Sequence, residues 1–261
     1  MPFNGKTTRT PTGSTNAAPW QTMANCGTQD PTWSHEYFND FNTYLPSDWT
    51  VTLVGAGTSA LTPFDGGALL STTTAGIADA NYYQLAAAGF KIGSTLSGVG
   101  IQPKETFFKY SGALSDVIND IFYAGLIVTS ATPLAATDGL YVTKNTGSAA
   151  LFLVSKIGGV STTVALPAAC IPVASVQFEL GIHVDTQGNV EVFWNPTTGD
   201  NPVGYAQAVL GQPVGRVATL LQTTATSVVT AQILNPSFGL LNTSAAARTL
   251  TTDYIVVERH R

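Results

Sequence analysis

The chain has 261 residues, 44% of them hydrophobic and only 10% charged, with 11 Lys+Arg against 16 Asp+Glu and a formal net charge of −5. That excludes a disordered chain, which needs low hydrophobicity with high net charge, and a free nucleic-acid binder, since the eleven cations are scattered and the isoelectric point is about 5.0. A folded chain of 27.2 kDa exposes on the order of 11,000 Å², roughly 400 Å² per charge, so Thr, Ser, Asn and Gln, or another protein, must cover much of it.

Residues 1–34 read as one unit. The opening Met1 to Arg9 holds no apolar run that could form the core of a signal peptide, so export by that route is not expected. Pro2, Pro11, Pro19 and Pro31 punctuate a Thr/Asn/Gly/Ala-rich stretch with no period of 2 or 3.6, which predicts an extended N-terminal arm. Arg9, Trp20 and Trp33 are its candidate partner-binding residues, because charge and aromatic bulk are otherwise scarce there. Two readings of the tryptophans stand open: they fold back on the same chain, or they dock onto a neighbouring subunit. Cys26 and Cys170 lie far apart with no second cysteine near either, which reads as structural or free thiols, with a disulfide as the alternative.

Residues 35–261 read as a single all-β domain of many short strands separated by Gly, Pro, Asn and Asp, the pattern of an antiparallel sandwich. In chain order the predicted strands are Trp49–Val54, Ala68–Thr72, Tyr82–Leu85, Phe122–Thr129, Gly139–Lys144, Leu151–Lys156 and Val160–Leu166. Ala113–Asn119 is the one stretch that suggests a helical turn, and Ile157-Gly158-Gly159 marks a hairpin. The clearest signal is Val176–Trp194. There Val176, Phe178, Leu180, Ile182 and Val184 alternate with polar residues, turn through Asp185–Asn189, and resume with Val190, Val192 and Trp194. If Val184 pairs with Val190, His183 faces Glu191 and Glu179 faces Asn195, each on the outer side. Tyr254–Val257 closes the series. The most apolar stretch, Val164–Val176, carries Pro167 and Pro172 and falls short of a membrane span.

Motifs that carry chemistry are missing. Gly55-Ala56-Gly57-Thr58-Ser59-Ala60 follows a strand, but Leu61 to Gly67 cannot open the helix a dinucleotide site requires, so it reads as a Gly-rich turn. There is no nucleophile elbow and no phosphate-cradling loop. His35, His183 and His260 have no companion at a ligand or triad spacing. No two acidic residues are two positions apart. Glu36/Asp40 and Asp116/Asp120 are four apart, about 13 Å along a strand, beyond the roughly 5–9.5 Å of glycoside hydrolysis. Glu179 and Glu191 of the hairpin are also about 13 Å apart in the expected register. A carboxylate pair from distant strands stays open. Asp185–Asn189 and Asn195–Asn201, with Asp200, are the only loops offering oxygen ligands for calcium. Phe193, Trp49, Tyr82 and Tyr83 would serve glycan stacking if exposed, and core packing otherwise. No catalytic, cofactor or metal residue is predicted.

Several segments share a further likeness. Phe38-Asn39-Asp40-Phe41, Asp48-Trp49-Thr50-Val51-Thr52 and Asp65-Gly66-Gly67-Ala68-Leu69-Leu70 open the body. Tyr123-Ala124-Gly125-Leu126, Thr137-Asp138-Gly139-Leu140-Tyr141-Val142, the hairpin and Thr252-Asp253-Tyr254-Ile255-Val256-Val257 follow in order. Over residues 36–257 the chain resembles lectin-like (concanavalin A-like) sandwich proteins of tailed bacteriophage virions. The resemblance implies a two-sheet jelly roll and a capsid decoration or cement protein, often a homotrimer, on the outer shell surface and assembled in the host cytoplasm. Its implied partner is the major capsid protein; a host glycan, bound by a carbohydrate-binding module, is the alternative. It carries over no catalytic motif.

Overall fold

The computed structural model describes residues 34–62, 67–86, 89–96, 100–196, 215–222 and 230–260. Its strands are β1 (Ser34–Asn39), β2 (Trp49–Val54), β3 (Thr58–Thr62), β4 (Ala68–Thr72), β5 (Ala80–Leu85), β6 (Gly93–Leu96), β7 (Gly100–Pro103), β8 (Thr106–Leu114) and β9 (Asp120–Ile127). They continue with β10 (Gly139–Lys144), β11 (Leu151–Ile157), β12 (Val160–Ala165), β13 (Phe178–Val184), β14 (Val190–Pro196), β15 (Gly215–Leu220), β16 (Asn235–Asn242) and β17 (Thr249–His260). The arm residues Arg9, Trp20 and Trp33, and Cys26 with them, lie outside the described residues.

Two antiparallel sheets face each other. One runs β15-β14-β13-β8-β17-β4-β3, with β1 also on β17, and the other β12-β11-β10-β9-β16-β5-β2; β6 and β7 form a small separate pair. The core follows from period-2 alternation. Phe108 and Tyr110 of β8, Leu180 and Ile182 of β13, and Val192 and Trp194 of β14 point inward, to meet Phe122, Ala124, Leu126 and Phe238 of the opposite sheet. Stacked pairs lock it: Phe178 on Trp194 with ring centroids 5.2 Å apart, and Tyr83 on Phe238 at 4.8 Å. Burying each such ring contributes roughly 1.5–3 kcal/mol.

The hairpin register is the one the alternation predicts: Val184 pairs with Val190, His183 with Glu191 and Glu179 with Asn195. Gly158 and Gly159 turn with φ of +56° and +86°, the left-handed pair a two-residue hairpin loop requires. The helical turn expected at Ala113–Asn119 is absent. Ala113 and Leu114 continue β8, and the Asp116 carboxylate accepts the backbone N–H groups of Ile118 (2.6 Å) and Asn119 (2.8 Å), so an Asx turn takes the place of helix initiation. The Gly-rich turn at Gly55–Gly57 is as expected, but Thr58 onward is β3. Strand β17 is far longer than Tyr254–Val257. Among its buried residues, Leu250 and Thr252 are followed by Ile255 and Val257, because Asp253 sits at a register shift against β8 and breaks the alternation.

On the far face of the seven-stranded sheet a second apolar cluster forms, with Tyr82, Tyr123, Tyr141 and Val154 packing around Ala136 and Leu134 of the loop between β9 and β10. Gly239 leaves room for it: a Cβ there would lie 2.8 Å from the Tyr123 ring and 2.7 Å from the Asn81 carbonyl.

Candidate functional site

The outward side chains of β8, β13, β14 and β17 gather the ionisable groups that the sequence scatters. At one end, Glu105 just before β8 accepts from both histidines, at 3.3 Å from His183 Nε2 and 2.6 Å from His260 Nδ1. His183 Nδ1 lies 3.1 Å from Glu191, which Arg216 of β15 also reaches at 2.5 Å. The Phe107 ring stacks flat on His183, centroids 4.5 Å apart. Burial pushes the Glu191 carboxyl up, but the hydrogen bonds from Arg216 and His183 outweigh it and hold it below the usual carboxylate range. The contact expected between His183 and Glu191 is therefore present, yet it belongs to a network spanning several strands and not to a solvated pair. His35 opens no such cluster; it pairs with Arg259 in the β1–β17 ladder.

Further along the same face stands a second group. Lys109 of β8 lies 3.3 Å from Glu179 Oε1 and 4.8 Å above the Tyr254 ring, while the Tyr254 hydroxyl donates to that same oxygen. Asn195 Nδ2 donates to Glu179 Oε2 at 2.9 Å, so both carboxylate oxygens are engaged. Beside it, Asp253 Oδ2 accepts from Ser111 Oγ (3.1 Å) and Gln177 Nε2 (2.6 Å). Burial pushes Asp253 up to about 6, with help from the Glu179 charge and against the hydrogen bonds of Ser111 and Gln177 and the charge of Lys109. Glu179 pairs with Ser111, and Ser111 with Tyr254, so the two carboxylates spring from strands about 10 Å apart. This is the distant-strand pair that spacing along the sequence could not test.

Asp253 also borders a cleft of about 180 Å³, with Ala113, Leu114, Ser175, Gln177 and Thr251 on its walls. Glu179 is not among them. The cleft exists because β13 begins at Phe178, opposite Gly112, leaving the last residues of β8 beside a loop instead of a strand. Ser175 of that loop has φ +59° and donates its N–H to the Leu114 carbonyl at 2.6 Å.

The aromatic residues considered for stacking are all interior: Phe193, Trp49, Tyr82 and Tyr83 are at most 7% exposed. Asp185 serves its turn, accepting the N–H groups of Gln187 and Asn189, each at 2.8 Å, while Asp200 lies outside the described residues. Cys170 is a buried free thiol, and burial pushes it up to about 12, which disfavours the reactive thiolate.

No protein-family model and no curated protein matches the chain. Solved structures do. Lectin II from Ulex europaeus aligns with a TM-score of 0.56 at 11% identity, covering 85% of this chain and 97% of its own. The CBM2 module of the evolved Dit of Lactobacillus casei BL23 phage J-1 gives 0.52 at 9% identity, over 87% and 96%. The endo-β-1,4-glucuronan lyase of Trichoderma reesei gives 0.52 at 12%, over 85% and 94%. The molecule is thus a lectin-like, concanavalin A-type β-sandwich. At these identities the likeness is one of fold, and the fold hosts binding modules and enzymes alike.

Proposed function

We propose that the chain is a virion surface protein, a non-catalytic sandwich that sits as a homotrimer on the outside of a phage capsid and clamps neighbouring copies of the major capsid protein. The observation that carries this reading is an open, aliphatic edge. Among the described residues, strands β2 and β3 each pair with one neighbour only and follow one another through the Gly55–Gly57 turn, so the outer edges of both described sheets lie together. Leu53, Val54 and Leu61 are exposed there, with Ile77, 70% exposed, on the adjoining loop whose Asp79 packs at Gly55. Unpaired strand edges with exposed aliphatic side chains are a template for another chain. Every large hydrophobic residue exposed among the described residues is aliphatic, which suits a protein partner better than sugar stacking.

Binding that favours the assembled shell stabilises it by RT ln(1 + [L]/Kd), and three linked copies rebind at high effective concentration even when each contact is weak. The absence of catalysis is part of the proposal. Glu179 has both oxygens engaged and stands off the cleft, whereas a hydrolytic pair must present two carboxyls to one substrate. Light scattering on the full chain and on a chain beginning at Ser34, followed by co-sedimentation with capsid shells, tests the reading. A trimer that sediments with shells, more weakly without residues 1–33, supports it; a monomer that ignores shells in both forms overturns it.

A second reading is favoured by the likeness to a lectin and to a phage Dit CBM2 module: a carbohydrate-binding module recognising host glycans from the virion surface. A glycan array probed with the full chain decides it, since saturable binding there without shell binding would replace the first reading with this one.

A further inference from the structure

We infer that the cleft beside Asp253 receives the cationic side chain of a partner protein, an arginine or lysine whose aliphatic stem lies along Ala113 and Leu114. Charge accounting leads there. The neighbouring ionisable groups are matched within the chain, Lys109 with Glu179 at 3.3 Å and Arg248 with Asp116 at 3.1 Å. Asp253 is the single ionisable group among the residues bordering the cleft. Its Oδ2 is held by Ser111 and Gln177, while Oδ1 takes no hydrogen bond among the described residues. A half-buried carboxylate bordering a cleft with no other ionisable group is complementary to a guanidinium or ammonium, which restores the solvation that burial removes. The walls fit the rest of such a side chain: Ala113, Leu114 and the Thr251 methyl give apolar contact, and Ser175 and Gln177 supply polar rims. A cleft of about 180 Å³ admits one side chain and not a polymer. The choice of a protein as the source rests on the docking reading above; the chemistry of the cleft does not.

The test titrates the full chain with N-acetyl-arginine amide, using N-acetyl-citrulline amide as a neutral probe of the same shape, and follows the backbone amides of Ser175, Gln177 and Thr251 by NMR. Saturable shifts with the arginine probe alone are expected at pH 8. They weaken about tenfold at pH 5, where Asp253, facing Lys109 and Glu179 and pushed up to about 6, is mostly protonated. Asp253→Asn, which retains an acceptor for Ser111 and Gln177, abolishes them. Thr251→Lys, two residues away on the same face, supplies an internal cation and also abolishes them with Asp253 intact. No shift at these amides, equal shifts with the citrulline probe, or shifts that persist in both variants would overturn the assignment. Co-sedimentation of the unsubstituted full chain with shells, set beside its probe titration, separates the two ideas. If the probe binds but shells do not, the capsid reading fails and the cleft stands; if shells bind while the probe does not, the cleft assignment fails alone.

Discussion

Asp120 and Asp253 show how environment, not residue type, sets behaviour. Asp120 and Lys144, both fully buried, meet at 2.6 Å at the end of the core, and the Lys144 ammonium also donates to the Asp120 and Asn145 carbonyls. Removing one member strands the other's charge, so Lys144→Met should lose about 3–5 kcal/mol, measured by denaturant unfolding. A smaller loss for the double replacement Lys144→Met with Asp120→Leu would confirm that the stranded carboxylate, not the lost packing, dominates. Asp253 makes the opposite prediction. Its folded value, pushed up to about 6 from 3.8, means that the folded state holds its proton more tightly than the unfolded one. Stability from this group is present below about pH 3.8 and falls as pH rises through 6. Asp253→Asn should therefore stabilise the protein at pH 8 relative to wild type, with the advantage vanishing near pH 4. Equal effects at both pH values would refute the assignment.

Strands are where the alternation was legible and where it failed. The β13–β14 hairpin could be read to the residue, because both strands alternate cleanly between core and outer face and a five-residue turn fixes their register. Strand β16, Asn235–Asn242, went unread, since Asn-Pro at its start and Gly239 within it look like breaks. Only the packing explains Gly239, which lies under the Tyr123 ring; Gly239→Val should destabilise by about 1–3 kcal/mol through overpacking, visible as a lowered melting temperature. Strand β3 was hidden by the Gly-rich turn before it. Its exposed Leu61 lies on the edge assigned to docking, so Leu61→Lys should weaken shell co-sedimentation while changing stability by less than about 0.5 kcal/mol. A large loss of stability instead would make Leu61 a packing residue.

Across the whole molecule, first and last strands meet, β1 on β17, with Ser34 opposite His260. Ser34 therefore lies at the end of the eight-stranded sheet where Glu105, His183 and His260 gather. A chain starting at Ser34 retains every described strand, so it should melt within a few degrees of the full chain while sedimenting more weakly with shells. A collapse of its melting temperature would instead place residues 1–33 in the stability of the body. Refolding should be slow for a domain of this size, on the order of milliseconds to seconds or longer, because β17 must find β1, β4 and β8 from the far end of the chain.

The sequence by itself determined the all-β class, the antiparallel hairpins and their turns, because side-chain period and Gly/Asn/Asp chemistry are local properties. It also showed that no two acidic residues stand two positions apart along the chain. Only the tertiary structure decided which strands lie side by side, and so only it placed Glu179, Lys109 and Asp253 together, opened the cleft beside the β17 bulge, and set β2 and β3 as the adjoining outer strands of the two described sheets. The cluster and the cleft depend on pairings between residues far apart in the chain, such as Glu179 with Ser111 and Ser111 with Tyr254, for which no local signal in the chain exists.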